Sequence, residues 1–441
     1  MKLSRAFRLG KEFSYTAATQ VVNGIGLLLV LKITASRLEP SEYGNLALIL
    51  TLAGLINKLG FGGIINAVSR FYPIAEHAKS EQAFLQSVRS IVTRIGSALA
   101  VILGLIGIYL FITNDTGRLS EIVALFAFAA CNGLSIMVKA IHSAQRDRQS
   151  VFQFSVINYI SRILTVFILI DYFGPYSISV IIAYSVASLA TAIFQIRKLT
   201  YQLDSLKFGR AYEEHNSSKT QWVWELWRYA WPFSIWGIFT WLEEAAGKWS
   251  LQAYFGPSDV GYFTIGMQLG VMPILLVAAT VNQFVSPVIN KRLAKVTDQS
   301  IDWLKKSIYQ ISFGWIIFII CAAYLATQVH ETVYGLLTDS LYTESSYLLP
   351  YFVVVGGLQA LLTSTTMQLN ALKISKPRLV VNITCSLISA LITFLGARFA
   401  GIYGVIISLW IGYTIRILWN LYLGNNYSTL IKIHSKQQMG I

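Results

Sequence analysis

The chain has 441 residues, 55% of them hydrophobic and only 13% charged, with a net charge of +14; soluble globular domains carry roughly 25% charged residues. Mean hydropathy is +0.56, and apolar runs of about 20 residues recur from end to end, the length that crosses a bilayer as a helix. This excludes a soluble globular enzyme and predicts an all-α polytopic membrane protein. The basic residues are not spread as a nucleic-acid-binding patch would be.

The N-terminus, MKLSRAFRLGKEFSY, is a basic lead-in to an uncleaved first span. The predicted spans are 12–36, 41–65, 84–112, 118–143, 150–171, 175–199, 226–254, 259–289, 302–328, 345–370, 378–397 and 400–424. These twelve transmembrane helices form two six-helix bundles: residues 1–200, then a polar cytoplasmic linker at 201–225, then residues 226–424, then a cytoplasmic tail at 425–441. A polar cavity is expected at the centre of the bundles. The tryptophans Trp222, Trp224, Trp227 and Trp231 mark entry into the interface, where indoles are favoured.

Alternate connections hold most of the basic residues. They include Lys2, Arg5, Arg8 and Lys11; Arg70, Lys79 and Arg89; Lys139, Arg146 and Arg148; and so on to Lys432 and Lys436. The other set holds only Arg37, Arg118 and Arg398. Cytoplasmic loops are the basic ones, so both termini are expected in the cytoplasm.

An internal repeat supports the six-plus-six division. Pro40-Ser41-Glu42-Tyr43-Gly44 opens the second span and Pro257-Ser258-Asp259-Val260-Gly261 opens the eighth, 217 positions later. Each suits a helix start, with Ser as cap and an acid in the first turn. Two at matched places indicate duplication, and six spans return the chain to its starting side, so the repeats are parallel.

Six basic residues remain inside spans: Lys32, Lys58, Arg94, Arg162, Lys248 and Arg416. Ionisable groups at such depth are costly and normally face a protein interior or a wet path. Snorkelling to the headgroups is the competing account for Lys58 and Arg94, and Arg416 reads as structural. The seventh span carries Glu243 and Glu244 near its middle, and Thr240, Glu244 and Lys248 follow one helical stripe. The stripe is either a Glu–Lys pair that holds the bundle or a cavity-facing site.

No enzyme signature emerges. There is no glycine-rich phosphate loop ending in Lys-Ser or Lys-Thr. His77, His142, His215, His330 and His434 are scattered, and Cys131, Cys321 and Cys385 sit singly in apolar spans, so neither a metal centre nor a disulfide framework is expected.

The pattern Arg37-Leu-Glu-Pro-Ser-Glu-Tyr-Gly44, the segment Ser69-Arg-Phe-Tyr-Pro73 and the second-half element Phe255-Gly-Pro-Ser-Asp-Val-Gly-Tyr-Phe263 resemble the bacterial polysaccharide biosynthesis membrane proteins, the O-antigen and capsule repeat-unit flippases. Their superfamily also holds multidrug exporters (MATE) and the peptidoglycan-precursor flippase, and is called MOP. The resemblance implies a transporter, not an enzyme, that moves an undecaprenyl-pyrophosphate-linked oligosaccharide to the outer leaflet by alternating access. It implies no cofactor, and as partners the lipid bilayer, a polysaccharide polymerase and a chain-length regulator. Cations would accompany the pyrophosphate: Arg94, Arg162, Lys32 and Lys248, with Arg70 and Lys58 at the cytoplasmic mouth. Glu243 and Glu244 have two readings, as carriers of a proton or sodium ion in gradient-coupled transport or as partners that hold Lys248. The alternatives are an ion-coupled exporter of cationic drugs and a flippase for another lipid-linked envelope precursor. A non-transporting scaffold is a third class.

Overall fold

The computed structural model describes residues 2–113, 119–207, 216–293, 297–372, 374 and 376–438. Among them every regular element is helical: α1 (Lys2–Ala35), α2 (Pro40–Asn57), α3 (Gly63–His77), α4 (Glu81–Ile112), α5 (Leu119–Ala144), α6 (Arg148–Phe173), α7 (Ser177–Lys207), α8 (Asn216–Tyr254), α9 (Pro257–Gly266), α10 (Met272–Arg292), α11 (Asp298–Leu337), α12 (Leu349–Ala371) and α13 (Lys376–Gln438). Helices satisfy their backbone groups internally, the requirement for chain within lipid.

Two of the crossings are each built from two helices. α2 runs into α3 through a π-helical turn at Lys58–Gly62, and α9 into α10 through another at Met267–Val271. A single π turn widens the helix and rotates the side chains that follow it. α13 does the reverse, since one continuous assignment hides a chain reversal. Ala400 (φ −142°, ψ 20°) and Gly401 (φ 54°, ψ −135°) are non-helical, and the two legs fold back closely. A Cβ at Gly404 would lie 1.8 Å from the Gly396 carbonyl oxygen. Gly401 has the positive φ that glycine alone adopts without strain.

Among the described residues ten stretches are long and apolar enough to cross a membrane, and one of them, Pro377–Tyr427, contains both legs of α13. α8 is long enough as well, with 39 residues, but its glutamate pair and tryptophans lower its hydropathy. The result is a multi-pass helical membrane protein with twelve crossing segments, as expected from the sequence. Three edges move. The second span does not stop at 65 but runs to His77, with Pro73 inside the helix, where it removes only one backbone bond. α7 reaches Lys207 and α8 starts at Asn216, so the 201–225 connection is helical at both ends; its centre, 208–215, lies outside the described residues. The tail at 425–441 is helical to Gln438.

Contacts divide the chain into two compact units, Met1–Leu38 with Asn45–Trp241, and Glu39–Gly44 with Leu242–Ile441. In the first unit α5 and α6 pack on α7, α1 on α6, and α3 on α5. In the second, α12 is the centre, packed by α10, α11, α13 and the π turn at Met267–Val271. Within lipid such packing rests on close van der Waals contact rather than on the hydrophobic effect. Phe352 of α12 supplies it here, filling the space left by the missing side chains of Gly266 and Gly270.

Candidate functional site

α4 is two-faced. Phe84, Leu85, Val88 and Ile91 are buried. On the other side Gln86, Arg89, Ser90, Thr93, Arg94 and Ser97 recur at three- and four-residue spacing and line a cavity of about 630 Å³. Beyond Ser97 the exposed residues become Val101, Leu105, Ile108 and Phe111. The polar stripe is roughly 16 Å long at 1.5 Å per residue and occupies the first part of the helix. Neither the Arg89 nor the Arg94 guanidinium has an ion-pair partner among the described residues. Guanidinium, hydroxyl and amide groups on one wall provide charge-assisted donors for phosphate and neutral donors and acceptors for sugar hydroxyls.

Arg162 lies inside the first unit. Its guanidinium stacks over the Tyr184 ring at 4.8 Å, and its Nε is buried with no hydrogen-bond partner. The position is held from both sides, since Asn158 Nδ2 donates to Thr191 Oγ1 (3.2 Å) and Thr165 Oγ1 donates to the Ala183 carbonyl (3.0 Å), fixing α6 against α7. A residue that the sequence places in a connection joins it: Lys139 of α5 donates from Nζ to Ser155 Oγ at 2.9 Å. Ser155 and Arg162 are seven residues apart on α6, on the same face.

The other predicted cations are placed separately. Arg70 is exposed at α3, its guanidinium 5.3 Å from the Tyr229 ring centroid and 6.0 Å from that of Phe71. Lys58 begins the first π turn, where Gly237 of α8 packs against its Cβ. Lys32 is exposed in the last turn of α1. Lys248 belongs to the second unit, with Glu244 as the charge acting on it.

Glu243 faces away from that stripe. It is buried, and its Oε2 accepts from Arg416 Nη2 at 2.6 Å and from Ser386 Oγ at 3.0 Å, while Arg416 Nη2 also donates to Ser386 Oγ at 3.0 Å. One triad thus ties α8 to both legs of α13. Tyr413, one turn from Arg416, is bonded to Gln359 of α12. Glu243 Oε1 has no partner among the described residues.

Solved transporter structures share this helical arrangement. The structure is similar to a lipid II flippase MurJ in an inward closed conformation (TM-score 0.71, 15% identity, 96% of this chain and 90% of that one). It is also similar to an inward-facing multidrug resistance MATE family transporter of the MOP superfamily (0.62, 15%, 93% and 95%) and to a MOP superfamily transporter from Pyrococcus furiosus (0.61, 14%, 94% and 96%). At such identities the likeness concerns the fold. No protein of curated function matches the sequence significantly. The family model described as polysaccharide biosynthesis protein matches residues 9–293, and the chain belongs to that family.

Proposed function

We infer that the protein is a flippase for a lipid-linked oligosaccharide, an undecaprenyl-pyrophosphate repeat unit, carried across the bacterial inner membrane with both termini cytoplasmic. The observation that carries this reading is the polar stripe on α4, with two arginines that have no ion-pair partner among the described residues beside hydroxyl and amide groups. A polyprenyl tail remains in hydrocarbon throughout such a movement, and only the headgroup needs a polar route. A pyrophosphate brought away from water needs counter-charge, and the sugars need donors and acceptors. The family and the flippase among the structural neighbours support the same reading. Alternating access would expose the route to each side in turn, and the unit would pass to a polymerase and a chain-length regulator. An exporter of cationic drugs would instead call for unpaired buried carboxylates, and Glu243 is engaged by Arg416.

The test is leaflet-resolved transport in proteoliposomes with a labelled undecaprenyl-pyrophosphate oligosaccharide, against lipid-only vesicles. Protein-dependent appearance of the headgroup on the far side is expected. Export of an organic cation, with no headgroup movement, would replace this reading with the drug-exporter one.

A further inference from the structure

Apart from the α4 stripe, the first unit has a smaller cavity of about 170 Å³ where the start of α1 meets the α5–α6 turn. We propose that this cavity holds the headgroup of an anionic phospholipid, with its acyl chains along the seam between α1 and α6. The proposal does not depend on which molecule the protein carries. Three observations support it. First, the cavity is cationic. Lys11 and Tyr15 line it from α1, and Arg146, Arg148 and Gln149 line it from the turn and the start of α6. Lys11 and Arg146 are exposed, and neither has an ion-pair partner among the described residues. Arg148 Nη1 donates to a neutral group, Ser143 Oγ, at 3.1 Å. Glu12 and Asp147 also line the cavity, but Asp147 is committed to the start of α6. Its Oδ1 accepts from Ser150 N at 3.1 Å and its Oδ2 from Ser150 Oγ, with His142 Nδ1 3.6 Å away. The remaining positive charge suits a phosphodiester, which both guanidinium and ammonium groups bind. Second, Arg146 is placed by its backbone. Its φ of 61° is left-handed, a conformation that L side chains rarely adopt. Asp147 N donates to the His142 carbonyl at 3.0 Å and Arg148 N to the Arg146 carbonyl at 2.9 Å, which fixes the turn. Glycine would make this turn without strain. An arginine here carries a cost of the kind found at binding sites.

Third, apolar tracks lead from the cavity into the span. On α1, Lys11, Tyr15, Ala18, Val22, Ile25 and Leu29 recur at three- and four-residue spacing and share one side. On α6, Gln149, Gln153, Val156, Ile160, Leu164 and Phe167 do the same. Ile25, Leu29, Ile160, Leu164 and Phe167 are exposed. The two helices run parallel, because their contacts advance together. Tyr15 meets Phe152 at 6.0 Å, the Tyr159 ring fills the place of a Cβ on Gly26, and Arg37 pairs with Asp171. Each track lies about a quarter turn from this contact, on the same side of it. The seam is therefore the floor of a groove that begins at the cavity. A soluble anion would use the cavity alone, whereas a phospholipid uses cavity and groove. The Lys and Arg bias expects this end in the cytoplasm, where basic pockets between helices meet the anionic leaflet.

The experiment is titration of the purified full-length protein in detergent with dioctanoyl phosphatidylglycerol, followed by thermophoresis. Dioctanoyl phosphatidylcholine and glycerol 3-phosphate serve as comparisons for charge and for the missing tail. The variants are K11Q, R146G, R148Q and the triple, with R398Q, an exposed arginine outside the cavity, as control. Phosphatidylglycerol should bind at least about tenfold more tightly than either comparison. Each single variant should weaken it about fivefold and the triple on the order of a hundredfold, with R398Q unchanged. R146G separates binding from folding. Glycine relieves the left-handed turn, so melting temperature should hold or rise while phosphatidylglycerol binding falls. Equal binding of phosphatidylcholine would remove the charge argument, and equal binding of glycerol 3-phosphate would make the ligand a soluble phosphate; either overturns the proposal. A well-folded triple variant that binds as wild type does also overturns it. If the triple variant fails to fold, unchanged binding by R146G overturns it in the same way.

Discussion

Gly44 and Gly261, equivalent positions of the internal repeat, pack reciprocally. A Cβ on Gly44 would lie 1.8 Å from the Pro257 carbonyl oxygen, and a Cβ on Gly261 would lie 2.1 Å from the Pro40 carbonyl oxygen. Each helix start therefore presents its glycine to the backbone of the other, and the first turn of α2 belongs with the second compact unit. The repeated Pro-Ser-acid-x-Gly element is more than two copies of a helix cap, because its fifth residue makes the crossing.

Both close contacts are to backbone, so neither can be relieved by turning a side chain. Gly44→Ala and Gly261→Ala should each lower stability by about 1–3 kcal/mol, the usual cost of overpacking. Because they strain one crossing, the double variant should lose less than the sum of the singles. Thermal melting of the purified variants checks this, and strictly additive losses would mean the two contacts are independent.

The Glu243–Arg416 pair sets a second expectation. Both groups are buried, Arg416 at 8% exposure and Glu243 at 6%. Removing one partner of a buried pair leaves an uncompensated charge and typically costs 3–5 kcal/mol, whereas replacing both by apolar residues of similar volume is often near neutral. Arg416→Met should therefore sharply lower folded yield and melting temperature, and adding Glu243→Leu should restore much of the loss. If the double variant is stable but transport stops, the pair serves the transport cycle as well as the fold.

These two relationships mark where the sequence stops being readable. The spans were legible because each is a local property of about 20 residues, and hydropathy together with the Lys and Arg bias reports it directly. The repeat was legible as matched letters, but its reciprocal packing joins residues over 200 positions apart. Arg416 could be placed in a span but not against Glu243, which is 173 residues away. Lys139 was assigned to a connection because it lies near the end of α5. Only its bond to Ser155 shows that it points back into the bundle. The α4 stripe follows from three- and four-residue spacing, but hydropathy places Arg94 inside the span and Arg89 near its edge, which hides that both line one stripe.

Tyr342 is fully buried in the 3₁₀ segment Ser340–Leu348, between Tyr43 and Tyr262, with edge-to-face centroid distances of 6.1 and 6.0 Å. Tyr43 Oη in turn donates to Gln268 Oε1 at 3.2 Å. Aromatic pairs of this geometry add about 0.5–1.5 kcal/mol each beyond burial. Tyr342→Phe keeps both ring contacts and removes only the hydroxyl, so it should cost less than Tyr342→Ala. Tyr342→Ala loses them and opens a cavity, at about 3–5 kcal/mol. Equal effects of the two substitutions would shift the role from the ring to the hydroxyl.

The α4 stripe yields the prediction that bears most directly on transport. Arg89 and Arg94 lie five residues apart on the cavity wall, about 140° apart around the helix and so at the two edges of the stripe, and loss of one leaves the other. Arg89→Gln and Arg94→Gln should each slow headgroup movement in proteoliposomes about tenfold or more, and the double variant at least about a hundredfold, if each charge-assisted contact contributes about 1.5–3 kcal/mol to the barrier. Both side chains are exposed and neither has an ion-pair partner among the described residues, so melting temperature should hardly change. Ser97→Val, at the inner limit of the stripe, removes one hydroxyl and no charge, and should have a smaller effect that depends on the sugars attached. Raising ionic strength should weaken the contribution of the arginines but not that of Ser97. A double arginine variant that transports normally would show that the headgroup does not travel along α4.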